Sequence, residues 1–127
     1  MLLGREDALA GATLAGWRLL MTPSLEQARL FLTRGQISVV LCDPAFAGMD
    51  WKRALRLLAG TSSRPSILLL APPGRRFSWN EVAAAGGYDV VVRPIDVGAL
   101  ERVMRSARAY WLSRRALEST PANPLRI

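Results

Sequence analysis

Apolar residues along this chain follow two rhythms. Ile37–Cys42 and Ile67–Ala71 are short, almost continuous apolar runs, and Val90–Val92 is a shorter third. Runs of this kind, without alternation, suit strands buried on both faces of a parallel sheet. The second rhythm is helical. Leu25, Ala28, Phe31 and Leu32 recur at helical spacing, as do Trp51, Ala54, Leu55 and Leu58. Leu100, Val103, Met104, Ala107 and Trp111 form a longer stripe, with Arg105, Arg108 and Arg115 on the other side. Punctuation separates the two. Thr22 offers an N-cap before Pro23, or Ser24 and Gln27 form a capping box. Gly35 and Gly60 stop their helices, Asp50 caps one, and Ser78 with Glu81 opens another that ends at Gly86-Gly87. The last helix starts near Asp96. Met1–Leu3 is a very short apolar start, an alanine-rich stretch ends at Gly16, and Arg18–Met21 is a short strand candidate.

Strands that alternate with helices through short loops imply a parallel sheet covered on both faces. Five strands and five helices predict an α/β, doubly wound, flavodoxin-like sheet of order 2-1-3-4-5 with right-handed crossovers. Residues 1–118 read as one domain with an extended last helix. Pro121 and Pro124 mark residues 119–127 as a disordered tail.

Composition narrows the chemistry. The chain has 127 residues, half of them apolar, which suits a single packed core. No run approaches the roughly 20 apolar residues that span a bilayer. No signal-peptide pattern opens the chain, and the expectation is a cytoplasmic protein. Cys42 is the sole cysteine, so no internal disulfide or multi-cysteine metal site is available. Histidine is missing, and with it the commonest general base and metal ligand. The net charge of +7 is carried chiefly by arginines spread along the chain. Arg102, Arg105 and Arg108 recur every third residue, so they fan over an arc and read as a solvated face.

The candidate site lies where a buried run stops at a carboxylate. VVLCDPAFAGMD, residues 39–50, ends a strand in Asp43, with Gly48 five residues on and Asp50 seven. Ligands gather at the carboxyl edge of open parallel sheets. The stretch resembles the receiver domain of bacterial response regulators, in which such an aspartate accepts a phosphoryl group. PSILLLAPPG is similar to that family's fourth strand. GGYDVVVRPID is similar to its fifth, with Gly86 seven residues before Arg93-Pro94. LAGWRLLMTPSLEQARLFL matches the helix end, second strand and second helix. The resemblance covers about Leu14 to Trp111.

The same resemblance exposes departures. The family holds Mg²⁺ with an acidic pair after its first strand. Glu6 and Asp7, with Asp43, are the only metal candidates here, and the distance from them to Gly16 is about two turns short of the usual first helix. The position of the family's signalling hydroxyl falls on Leu70, which cannot donate a hydrogen bond. The lysine position is Arg93, which is able to pair permanently with Asp43. The switching aromatic is replaced by Val90, and Ala47 replaces a loop proline. Phosphoryl transfer depends on positioning and charge neutralisation, so these losses should leave it slow.

The resemblance therefore implies an atypical receiver, or pseudoreceiver: a non-enzymatic signalling module that binds proteins largely without phosphorylation and needs no cofactor. Its partner is another signalling protein or a second copy of itself. Arg105, Arg108, Tyr110, Trp111 and Leu112 of the last helix, which runs past the family's usual end near Trp111, form the expected partner surface. One alternative is a working receiver phosphorylated on Asp43 by a histidine kinase, with Mg²⁺ as cofactor. The other is a basic nucleic-acid-binding protein.

Overall fold

The computed structural model describes residues 1–4, 16–17, 20–46 and 50–119. Five strands form one sheet: β1 (Leu2–Leu3), β2 (Met21–Thr22), β3 (Val39–Cys42), β4 (Ser66–Ala71) and β5 (Asp89–Val92). Every pairing is parallel, and the order is β2-β1-β3-β4-β5, as the alternation of strands and helices predicts. Four α-helices flank it among the described residues: α1 (Leu25–Arg34), α2 (Trp51–Ala59), α3 (Trp79–Ala84) and α4 (Val97–Ser119). None is long and apolar enough to cross a membrane.

The continuous apolar runs have a simple origin. Alternate residues of β3 enter two different cores. Val40 and Cys42 join Ala28, Leu32, Leu55, Leu58 and Val82 beneath α1, α2 and α3. Val39 and Leu41 join Leu2, Leu68, Leu70, Leu100, Met104 and Ala107 beneath α4. Both strand faces are covered, so neither can be polar.

Local chemistry sets the helix ends. Ser24, not Thr22, caps α1: its side chain accepts from Gln27 N, while Thr22 is the last residue of β2 and its hydroxyl donates to Ser24 O. Ser78 caps α3 and accepts from Glu81 N, but the Glu81 carboxylate turns to Lys52 instead of closing the box. Asp50 caps α2. Gly86 has φ +100, and a Cβ there would lie 2.7 Å from the Ala59 Cβ, so only glycine fits.

α4 runs through Ser119, one residue past the expected boundary at 118, and the expected tail beyond it lies outside the described residues. Trp111 is not part of an outer surface. It is 7% exposed and its indole Nε1 donates to Ser63 O at 2.8 Å, closing the lower end of the core. Arg115 also departs from the solvated side: its guanidinium stacks on the Trp111 ring at 4.7 Å, one turn away. The helix beyond Trp111 is tied to the turn before β4. Arg114 donates to Arg64 O, and Arg64 pairs with Glu118 at 2.6 Å.

Candidate functional site at the carboxyl edge of the sheet

β3 ends at Cys42, and Asp43 follows at the sheet's edge, 8% exposed. Its amide donates to Leu3 O at 2.9 Å, which holds the backbone against β1. Its side chain accepts twice. Oδ1 takes the amide of Ala45 at 3.0 Å, inside the Pro44–Phe46 3₁₀ turn. Oδ2 takes Arg93 Nη2 at 2.8 Å.

Arg93 follows β5, and its amide donates to Ala71 O. Its guanidinium crosses the edge of β4 to reach a carboxylate fifty residues earlier. One guanidinium nitrogen is committed to Asp43, while the buried Nε has no hydrogen-bond partner. The ion pair is mostly screened from water, where it is stronger than on an open surface and costs desolvation to form.

Leu70 stands between the two. The register pairs Cys42 with Leu69 and Leu70 with Val91, so one step further places Leu70 beside Asp43. Its side chain is fully buried and belongs to the core under α4. It offers no donor to anything bound at Asp43. Val90 faces the opposite way and packs against the core under α3.

Leu3 pairs with Cys42, so Gly4 is level with Asp43 on the neighbouring strand. Gly4 has no side chain to mark it in the sequence, where Glu6 and Asp7 are the nearest acids. Those two lie outside the described residues. The signal was available: Gly4 is the first residue after Leu3, where the strand ends.

Among the described residues, Asp43 is the one carboxylate at this edge, whereas Mg²⁺ wants several hard oxygen ligands in octahedral geometry. Gly4 brings no side chain, and one oxygen of Asp43 is held by Arg93. Among the described residues no group of three acids, cysteines or histidines converges on one point.

Cys42 precedes the aspartate and is buried. Burial, and then the charge of Asp43, push its thiol up to about 12, so it is neutral and unreactive in the fold.

The expected partner residues of α4 scatter. Arg105 and Arg108 are exposed, and Arg108 lies over the Trp17 ring at 5.9 Å. Tyr110 is 48% and Leu112 49% exposed. Two residues apart, they point about 200° from one another around the helix, so they do not form one patch. Tyr110 instead leans on Tyr88 at 5.5 Å, with Arg114 over its ring. Leu117, 76% exposed, is one heptad from Tyr110 and shares its side.

The architecture is that of a known class. The signal receiver domain of a protein described as a Luxo repressor, from Vibrio parahaemolyticus, superposes with a TM-score of 0.70. The match covers 83% of this chain and 81% of that one, at 13% identity. At that identity the likeness establishes a receiver-like fold. No protein-family model matches the chain, and no curated sequence matches it.

Proposed function

We propose that this chain is a pseudoreceiver: a receiver-like signalling module that acts by binding other proteins, largely without phosphorylation. The observation that carries the reading is the Asp43–Arg93 ion pair, which places a fixed cation where an incoming phosphoryl group would need room. Gly4 beside the carboxylate and Leu70 in the hydroxyl position support it, because both remove groups that would hold Mg²⁺ or the phosphoryl oxygens. Arg93 then does permanently what a phosphorylated aspartate and its lysine do on demand. The edge is locked in one state, and the domain serves as a binding surface.

The test is incubation with acetyl phosphate and Mg²⁺, followed by intact mass measurement. The expected result is under about a tenth of the chains modified, since positioning and charge neutralisation supply most of such a rate. A stoichiometric phosphoryl group that disappears in Asp43→Ala would overturn the reading in favour of a working phosphoacceptor.

The partner is another signalling protein or a second copy, met through the side of α4 that carries Tyr110 and Leu117, next to α3 and β5. Two exposed apolar side chains one heptad apart make a natural helix-docking stripe. Truncation before Trp111 would open the core, so the surface is tested by Tyr110→Lys with Leu117→Lys. Sedimentation of the parent at high micromolar concentration should show a dimer that the double variant loses. A parent that stays monomeric leaves only a foreign partner. Steep loss of DNA affinity with salt would instead mark a nucleic-acid surface.

A further inference from the structure

The receiver reading leaves one row of backbone groups without a use, along the outer side of β5. In the order β2-β1-β3-β4-β5 this strand comes last, so its outer side meets no strand among the described residues. The helices flanking it, α3 and α4, lie within those residues. On the inner side, Arg93 N donates to Ala71 O of β4. Backbone groups alternate sides along a strand, so Val90 and Val92 turn their amides and carbonyls outward. The Val90 amide is answered by the Asp89 carboxylate, whose Oδ1 lies 2.7 Å away. Val92 has no such cover and is 59% exposed. The row is bounded at both ends: Tyr88 gives its amide to Ile67 O, and Pro94 has none. An open, β-branched edge of this kind is a template for one more strand.

We propose that this edge pairs with β5 of a second copy, antiparallel about a two-fold axis at Val91, joining the two sheets into one. In that register Val90 exchanges amide and carbonyl with the partner's Val92, and Val92 does so with the partner's Val90. Both outward amides and both outward carbonyls are then answered. The side chains agree. Asp89 falls opposite Arg93 of the partner subunit, an acid against a cation, and valine falls opposite valine on the other face. A register two residues away in either direction would bring Pro94 or Tyr88 into the ladder, and neither has an amide to give. In the lone chain Asp89 guards the edge, because its carboxylate holds the Val90 amide until the partner's Val92 takes it over. The inference rests on the self-association half of the partner reading above and names its contact.

Sedimentation and amide hydrogen exchange of the full chain, from low to high micromolar concentration, test it. The expected result is a dimer whose formation slows exchange at Val90 and Val92 by about tenfold or more. Val92→Pro removes an outward amide and no bond to β4, a place where an edge strand tolerates proline, and should leave a folded monomer. Asp89→Lys sets like charges opposite each other twice in each dimer and should weaken association about tenfold. The proposal is overturned by a chain that stays monomeric, by a dimer in which both amides keep their monomer rates, or by a folded Val92→Pro variant that still dimerises. Exchange in the parent decides the matter if Val92→Pro does not fold. A dimer lost in Tyr110→Lys with Leu117→Lys but kept in Val92→Pro would place the contact on α4 alone. None of these outcomes alters the acetyl phosphate result, so the pseudoreceiver reading stands or falls separately.

Discussion

Two buried polar networks sit at opposite edges of the sheet, and they are finished to different degrees. Ser63 itself is fully answered, although Arg114 Nε, beside the same turn, has no hydrogen-bond partner. Its hydroxyl lies 2.6 Å from Leu32 O and 2.7 Å from Gly35 O and accepts from Ile37 N, and its carbonyl receives Trp111 Nε1. These bonds tie the end of α1, the start of β3 and the middle of α4 to one turn. Around Asp43 the network is thinner: one backbone amide, one guanidinium nitrogen, and a buried Arg93 Nε with no partner. Networks with every member satisfied stiffen a fold, while partly satisfied ones hold a charge in place at a cost. The Ser63 turn joins three elements through several bonds, whereas the Asp43 side chain is held by one amide and one guanidinium nitrogen.

The comparison is tested hardest at Trp111. Replacing it with alanine removes a buried indole and leaves the Ser63 carbonyl only the longer 3.5 Å bond from Arg115, so Trp111→Ala should cost about 3–5 kcal/mol. Urea denaturation would measure it, and a loss below about 1 kcal/mol would mean the Ser63 turn is not a structural joint.

Alkali probes the other edge. The Cys42 thiol is raised by burial from its ordinary value to about 12 in the folded chain. A raised folded value means that its contribution to stability is complete below pH 9 and is lost as pH climbs from 9 towards 12. Stability should fall by a few kcal/mol across that window, and thiol reagents at pH 8 should label Cys42 only on unfolding. Because the Asp43 charge is the second cause, Asp43→Asn should make the alkaline loss smaller. Rapid labelling of the folded protein at neutral pH would contradict the burial on which this rests.

The smallest effect is expected from the ion pair itself. A double-mutant cycle over Asp43→Ala and Arg93→Ala should give a coupling of about 1–2 kcal/mol, between exposed and fully buried pairs. The Arg93 side chain keeps 24% of its surface in water, which screens the interaction. A coupling near zero would remove the lock from the proposed function.

Much of this was legible in the residues. The strands announce themselves because a strand covered on both faces must be apolar throughout, as Ile67 to Ala71 are. Helix ends are legible because capping is local: Asp50, Ser78, Gly35 and Gly60 act within a turn of where they stand. Parallel order follows from strands alternating with helices. Asp43 stands out because a carboxylate closing an apolar run must lie at an edge.

What the tertiary structure decided concerns pairs distant in sequence. The contact between Arg93 and Asp43 was raised only by the family resemblance: it depends on the register of three strands, and no local pattern encodes it. Gly4 matters only because Leu3 is level with Cys42. Trp111 reads equally well as core or as surface from its helical spacing. Its burial follows from a serine carbonyl 48 residues earlier that comes to rest within reach of its indole. Periodicity reports which face of an element is apolar, whereas three-dimensional packing determines what that face meets.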